Sequence, residues 1–542
     1  MKRREFLKAS AAGGAAAAAA VSMKTRRASA VPLFGDVPAD HASIMLPKEN
    51  QATNILECFL YGGITPWEGF YCVPEFGSDD GKTWHRAYPT DFKNAAQACG
   101  VDPQANQGNP FTEFAQNEEK RMIHLSPFLR PLIGRTDLTD RMRIVVNRHA
   151  LEPHEAAIPL TMSGKTLGSP SLASLGSHVA RYFVDHDIDN QHPAPWAYGF
   201  SIGASFVPND NILTMLATGL HPGAVRPLHI KIDNASRLSA LLDRAGIGDM
   251  SDRQRYDTLL ASYFAQYNSR LKFAGKDLLR APRLGELSAA SNAVAHAADI
   301  KALLSSDYLT KFSSAACTVR GGTTTPNSSA VTDVPFMNDG PVGSPGGTLQ
   351  TGNHTAMSLR MATHLLTDPL SPAKHCMVVD TGLREADGGG GYDTHKETPF
   401  TQAHNLYNFL ANGLLPLINK PGETDPSKLD LNKTMIILNM EFGRTPGLQG
   451  TQTGRNHWPY GYTQVYIGGP ITNAQRGVYG VIPESGQASV FATPTENRIA
   501  ALLAMGIWPF DQASFSSANV ADSSSESAAV RDVLKRVLGY TV

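Results

Sequence analysis

The sequence predicts an α/β fold built on a doubly wound, mainly parallel sheet, and three observations lead to it. Asn54–Tyr61, Met142–Asn147, Pro227–Ile232, His375–Asp380 and Thr434–Met440 are short apolar runs with the length of buried strands. Segments with helical periodicity lie between and beyond them, the alternation expected of a sheet with helices on both faces. His, Asp and Glu gather directly after most of these runs, at the carboxyl ends where open α/β sheets hold ligands.

The chain opens with Lys2-Arg3-Arg4-Glu5-Phe6-Leu7-Lys8, followed by an Ala/Gly-rich stretch that ends in Ala28-Ser29-Ala30. Paired arginines, a weakly apolar middle and an Ala-x-Ala site predict a twin-arginine export signal over residues 1–30. An amphipathic first helix is the alternative, but the Ala/Gly tract has no polar face. Export would make the twin-arginine translocase a partner and place the mature chain in the periplasm or outside the cell. The rest, 31–542, reads as one large domain.

Helical patterns follow at Arg237–Arg244, Arg253–Leu271, Leu287–Leu304, His354–Leu366, Phe400–Leu415, Asn497–Met505 and Ala528–Leu538. Two loops break the alternation: a Gly/Ser/Thr/Pro insertion at 315–347, and Thr445–Arg455. With 48 basic and 49 acidic residues the net charge is −1, which removes the electrostatic case for a nucleic-acid binder. A 42% hydrophobic, 18% charged composition excludes a disordered chain. Beyond the signal no apolar run is long enough for a membrane span. The five cysteines contain no Cys-x-x-Cys element; Cys72 and Cys99 are the pair best placed for a disulfide, and Cys58 and Cys376 read equally as buried thiols.

Five stretches could carry chemistry. Gly388–Gly391 leads into Tyr392-Asp393-Thr394-His395, where residues two apart in extended chain turn Asp393 and His395 to one side, towards one metal ion; a glycine loop with Asp393 capping a helix is the competing reading. Glu441-Phe442-Gly443-Arg444-Thr445 follows a strand and offers a carboxylate for metal and an arginine for an oxyanion, or a loop salt bridge. His457 stands beside Trp458, either a ligand or a packed ring. Arg148, His149, Glu152, His154 and Glu155 form a ligand set or a polar loop. Gly62-Gly63-Ile64-Thr65-Pro66-Trp67-Glu68 brings the Thr65 hydroxyl and the Glu68 carboxylate to the sheet edge. Together they suit a metal-dependent hydrolase. Dinucleotide, serine-hydrolase and Walker signatures are missing from the sequence.

At these residues the sequence resembles the domain of unknown function 1501 family, twin-arginine-exported proteins within the alkaline phosphatase-like and sulfatase-like superfamily. The resemblance rests on Gly391–His395, Glu441–Thr445 and Gly454–Pro459, with Gly62-Gly63 and His154–Gly164 in support. It implies hydrolysis of anionic phosphate or sulfate esters at one or two divalent ions (zinc, calcium or manganese). Glu68, Asp393, His395, Glu441 and His457 would be ligands, and Arg444 would hold the substrate's anionic group. Asn456 replaces the family's Asp, which implies one anionic ligand fewer. The nucleophile slot upstream of Ser163-Gly164 falls near His154, so an imidazole rather than a hydroxyl would serve as nucleophile or ligand. A non-catalytic envelope protein that binds a partner or glycan is the alternative function.

Overall fold

A computed structural model describes residues 33–76, 111–187, 195–202, 227–232, 258, 262, 266, 354–369, 372–380, 392–395, 402, 405–407, 409–447, 449, 454–511 and 514–542. The expected export signal at 1–30, the expected insertion at 315–347, Gly388–Gly391, Cys99, Cys317 and the helices expected at Arg237–Arg244 and Leu287–Leu304 lie outside them.

All five expected strands are present. They are β1 (Asn54–Leu60), β4 (Met142–Asn147), β6 (Leu228–Ile232), β7 (His375–Asp380) and β8 (Thr434–Asn439). The sheet also takes in β5 (Ala197–Ile202), β11 (Tyr462–Gly468) and β12 (Gly477–Tyr479), which the pattern of apolar runs does not reveal. The order is β12-β4-β11-β8-β1-β7-β5-β6. β8, β1, β7, β5 and β6 pair in parallel, as do β12 and β4, while β11 is antiparallel to both β4 and β8. One reversed strand therefore sits inside a mostly parallel mixed sheet. A small hairpin, β2 (Thr112–Gln116) with β3 (Met122–Leu125), forms a second sheet whose Phe114 and Ile123 join the same apolar cluster as Leu56 of β1.

Alternation along β1 separates two cores. Leu56, Cys58 and Leu60 face one apolar cluster, and Ile55 faces the other. Helix α3 (His354–Thr367) contributes Leu359, Met361 and Ala362 to the first. Helices α2 (Leu175–His186), α4 (Pro494–Ala504) and α5 (Glu526–Val533) line the second through Val179, Ile499 and Val530. Helices thus cover both faces. Helix α4 starts three residues before its apolar pattern because Thr493 and Glu496 form a capping box and Pro494 occupies the first turn. Helix α1 (His154–Ser163) was not expected: it contains Pro159 and is buried almost all round, so no amphipathic period marks it.

Cys58, Cys72 and Cys376 are buried free thiols. Cys99, the partner expected for Cys72, lies outside the described residues; the Cys72 thiol faces the Trp67 carbonyl at 3.0 Å. No helix among the described residues is long and apolar enough to cross a membrane.

Candidate functional site

The carboxyl ends of β1, β4, β7 and β8 and the start of the reversed β11 share one edge, because Tyr462 pairs with Asn147 and Asn54 and Thr434 begin in register. Each strand delivers a loop there. After β1 the chain turns through Gly62 and Gly63 at φ +108° and +79°. A Cβ on Gly62 would meet the Asp393 amide nitrogen, and one on Gly63 the Phe442 carbonyl, so only glycine lets these three loops close together. Past β8, the two-residue strand β9 (Gly443–Arg444) pairs with β10 (His457–Trp458), which places His457 opposite Arg444.

His154, Asp393 and His457 present one ligand atom each, all within 4.8 Å of one another. Asp393 Oδ1 lies 3.5 Å from His154 Nε2, 3.5 Å from His457 Nε2 and 3.1 Å from His395 Nε2. His395 Nε2 and His457 Nε2 face each other at 2.9 Å. Donors of a tetrahedral centre with bonds of about 2.0–2.1 Å stand about 3.3 Å apart, so these separations suit a first-row metal ion. Two rings are turned inward by partners on Nδ1: His154 donates to Glu441 Oε1 at 2.8 Å and His395 to Gln449 Oε1 at 2.8 Å.

Charge reinforces the geometry. Burial would raise the Asp393 pKa, but the neighbouring His154, His395 and His457 rings and the Arg444 guanidinium hold it far below the usual carboxylate range. Burial would lower the His154 pKa, yet Asp393 and Glu441 push it up to about 9. Burial dominates at His457, with Asp393 opposing and Arg444 assisting, and its pKa is lowered. That favours a neutral ring, the form that binds a metal.

Other expected residues fall elsewhere. Glu441 is fully buried and stands one layer behind the cluster, accepting also from the Gly62 amide at 2.7 Å. Glu68 is not brought in; it is buried in an ion pair with Arg455, and burial outweighs that partner to raise its pKa. Arg444 is fully buried, bonded to Gly62 O, to Arg455 O at 3.2 Å and to Asp393 Oδ1 at 2.5 Å, partners other than the ester expected for it. Thr65 is buried, its amide donating to Gln402 Oε1 at 3.0 Å. Asn456 is exposed and its side chain accepts from the His457 amide at 2.9 Å, so its replacement of Asp takes nothing from the cluster. Of the stretch after β4, only His154 enters; His149 Nε2 donates to the Glu441 carbonyl at 2.6 Å, and Glu152 and Glu155 are outside the cluster. Gln449, Gly62 and Gly63 complete the surround; of these only the glycine pair had a sequence signal.

The fold and site define an α/β protein with a His/Asp cluster at the carboxyl edge of a mostly parallel mixed sheet. Residues 376–503 match the model of a family described as a protein of unknown function (DUF1501). That stretch carries Asp393, His395, Glu441, Arg444 and His457, whereas His154 and the Gly62-Gly63 turn lie outside it. No curated protein and no solved structure matches the chain.

Proposed function

We propose that this chain is an exported metal-dependent hydrolase of phosphate or sulfate esters, with an alkaline phosphatase-like fold. The observation that carries the reading is the convergence of His154, Asp393 and His457 within 4.8 Å on one sheet edge. These three would hold the ion, with His395 adjoining. An imidazole-rich donor set suits zinc better than calcium or manganese, which prefer oxygen. When bound, the ion supplies Lewis acidity towards an ester oxygen.

The chain's own residues prepare that site. Arg444 braces Asp393 and the Gly62-Gly63 turn, which keeps the carboxylate ionised and aimed at the rings. Glu441 and Gln449 fix two of the three imidazoles. His154 acts as ligand rather than nucleophile in this reading, since its Nε2 faces Asp393 and its Nδ1 is engaged by Glu441. Export rests on the Arg3-Arg4 signal pattern. Lys at both positions should leave precursor in the cytoplasm, and normal export of that variant removes the assignment.

Zinc-loaded protein assayed against a panel of phosphate and sulfate esters tests the activity. Turnover should be abolished by chelator and by Asp393→Ala. Turnover indifferent to both would overturn the proposal.

A further inference from the structure

The carboxylate of Glu441 was expected among the metal ligands, yet the structure sets it behind one of them. Its side chain is 0% exposed, and its position joins three segments: the stretch just after β8, where it is the second residue, the Gly62 turn after β1 and the first residue of α1. A carboxylate can only accept. Oε1 takes the Gly62 amide at 2.7 Å and the His154 Nδ1 proton at 2.8 Å. The other ring nitrogen, His154 Nε2, is buried and makes no hydrogen bond among the described residues; its nearest carboxylate oxygen is Asp393 Oδ1 at 3.5 Å.

The ring has little freedom to choose otherwise. Tyr61 stacks on it at 5.0 Å between centroids, and Phe442 packs against it at 4.8 Å. A flip would put Cδ2 against Glu441 and Cε1 towards the cluster, leaving both facing a carbon. The buried carboxylate therefore selects both the orientation of the ring and the nitrogen that keeps its proton.

We infer that Glu441 is a positioning residue: it holds the proton of His154 on Nδ1 and so presents the Nε2 lone pair to a metal ion shared with Asp393 and His457. This rests on the metal centre proposed above and adds a role one shell further out. Carboxylates that hold metal-bound imidazoles in this way contribute about 10–100-fold to metal affinity.

The test is a double-mutant cycle on the full chain, with zinc dissociation constants from competition with a chromophoric chelator. Glu441→Gln keeps the size but can no longer act as a purely accepting anion. It should weaken zinc binding about 10–100-fold. In a His154→Ala background the same change should cost less than about threefold, because the ring through which it acts is gone. An undiminished penalty in that background would show a merely structural role and overturn the inference. If Glu441→Gln does not fold, ¹⁵N spectra of zinc-loaded wild type decide: His154 should carry its proton on Nδ1 and the metal on Nε2, and the reverse overturns it. Wild-type protein that takes up no zinc instead refutes the metal centre itself, and this inference with it. Wild-type uptake with equal affinity in Glu441→Gln refutes the inference alone.

Discussion

Beneath α4, Glu57 meets Arg498, His375 and Asn439; at the sheet edge, Asp393 meets Arg444, His154, His395 and His457. Both clusters set one carboxylate against an arginine and imidazole, but they differ in how the donors are shared. Glu57 spreads them over two oxygens: Oε1 accepts from Arg498 at 2.6 Å and Asn439 at 2.8 Å, and Oε2 from His375 at 3.2 Å. The Glu57, Arg498 and His375 side chains are 0–1% exposed. At the edge three ring nitrogens and a guanidinium crowd one oxygen, and a 32% exposed Asp393 side chain leaves a way in. The same residue types make a closed ion pair in one place and, in the other, a convergent cluster that could hold a metal ion. What separates them is donor sharing and access, neither of which composition records.

The core cluster should be the costlier to break. Glu57→Ala leaves Arg498 and His375 buried without their anion, and denaturant unfolding should show a loss of about 3–5 kcal/mol. Zinc affinity of the folded protein should be unchanged. A loss below about 1 kcal/mol would erase the distinction between the two sites.

Their pH responses should run in opposite directions in metal-free protein. Burial would raise the Glu57 pKa, but Arg498 and His375 bring it below 4.5; its stabilisation is present above that value and lost as pH falls through the lower folded one. His154 is raised from 6.5 to about 9, so its stabilisation is complete below 6.5 and lost as pH rises through 9. That second contribution is on the order of 3 kcal/mol. Unfolding measured across both windows checks the signs, and His154→Ala should remove only the alkaline one.

Smaller effects sharpen the contrast. His457→Ala should weaken zinc binding about 100-fold, ~2.7 kcal/mol, while shifting metal-free stability by only about 1 kcal/mol, as competition titration and unfolding can show. Gly62→Ala should destabilise by about 1–2 kcal/mol through its left-handed φ and its closeness to Asp393, and should weaken zinc binding alongside. Unaltered zinc affinity in that variant would mean the turn does not place Asp393.

Much of the fold is legible in sequence where strands are parallel and buried on both faces, since β7 and β8 are then mostly apolar runs and β1 is broken within only by Glu57. β11 escapes because Thr463 and Gln464 interrupt its apolar run although every residue is buried. Helix α2 carries both signals in its sequence, an amphipathic period and the Ser174 cap. At the site, Asp393, His395 and His457 are legible from motif chemistry. Glu68 and Arg444 are not, because their partners Arg455 and Asp393 come from distant parts of the chain. Glu441 stands where its motif puts it, but its layer depends on where α1 begins.

Metal content of purified, folded full-length protein tests the central claim most directly. Elemental analysis after zinc loading and desalting should find about one zinc per chain in wild type and almost none in Asp393→Ala, with an unfolding temperature that rises on loading only in wild type. Wild-type protein that emerges without zinc, and unfolds at the same temperature with and without it, would contradict the account.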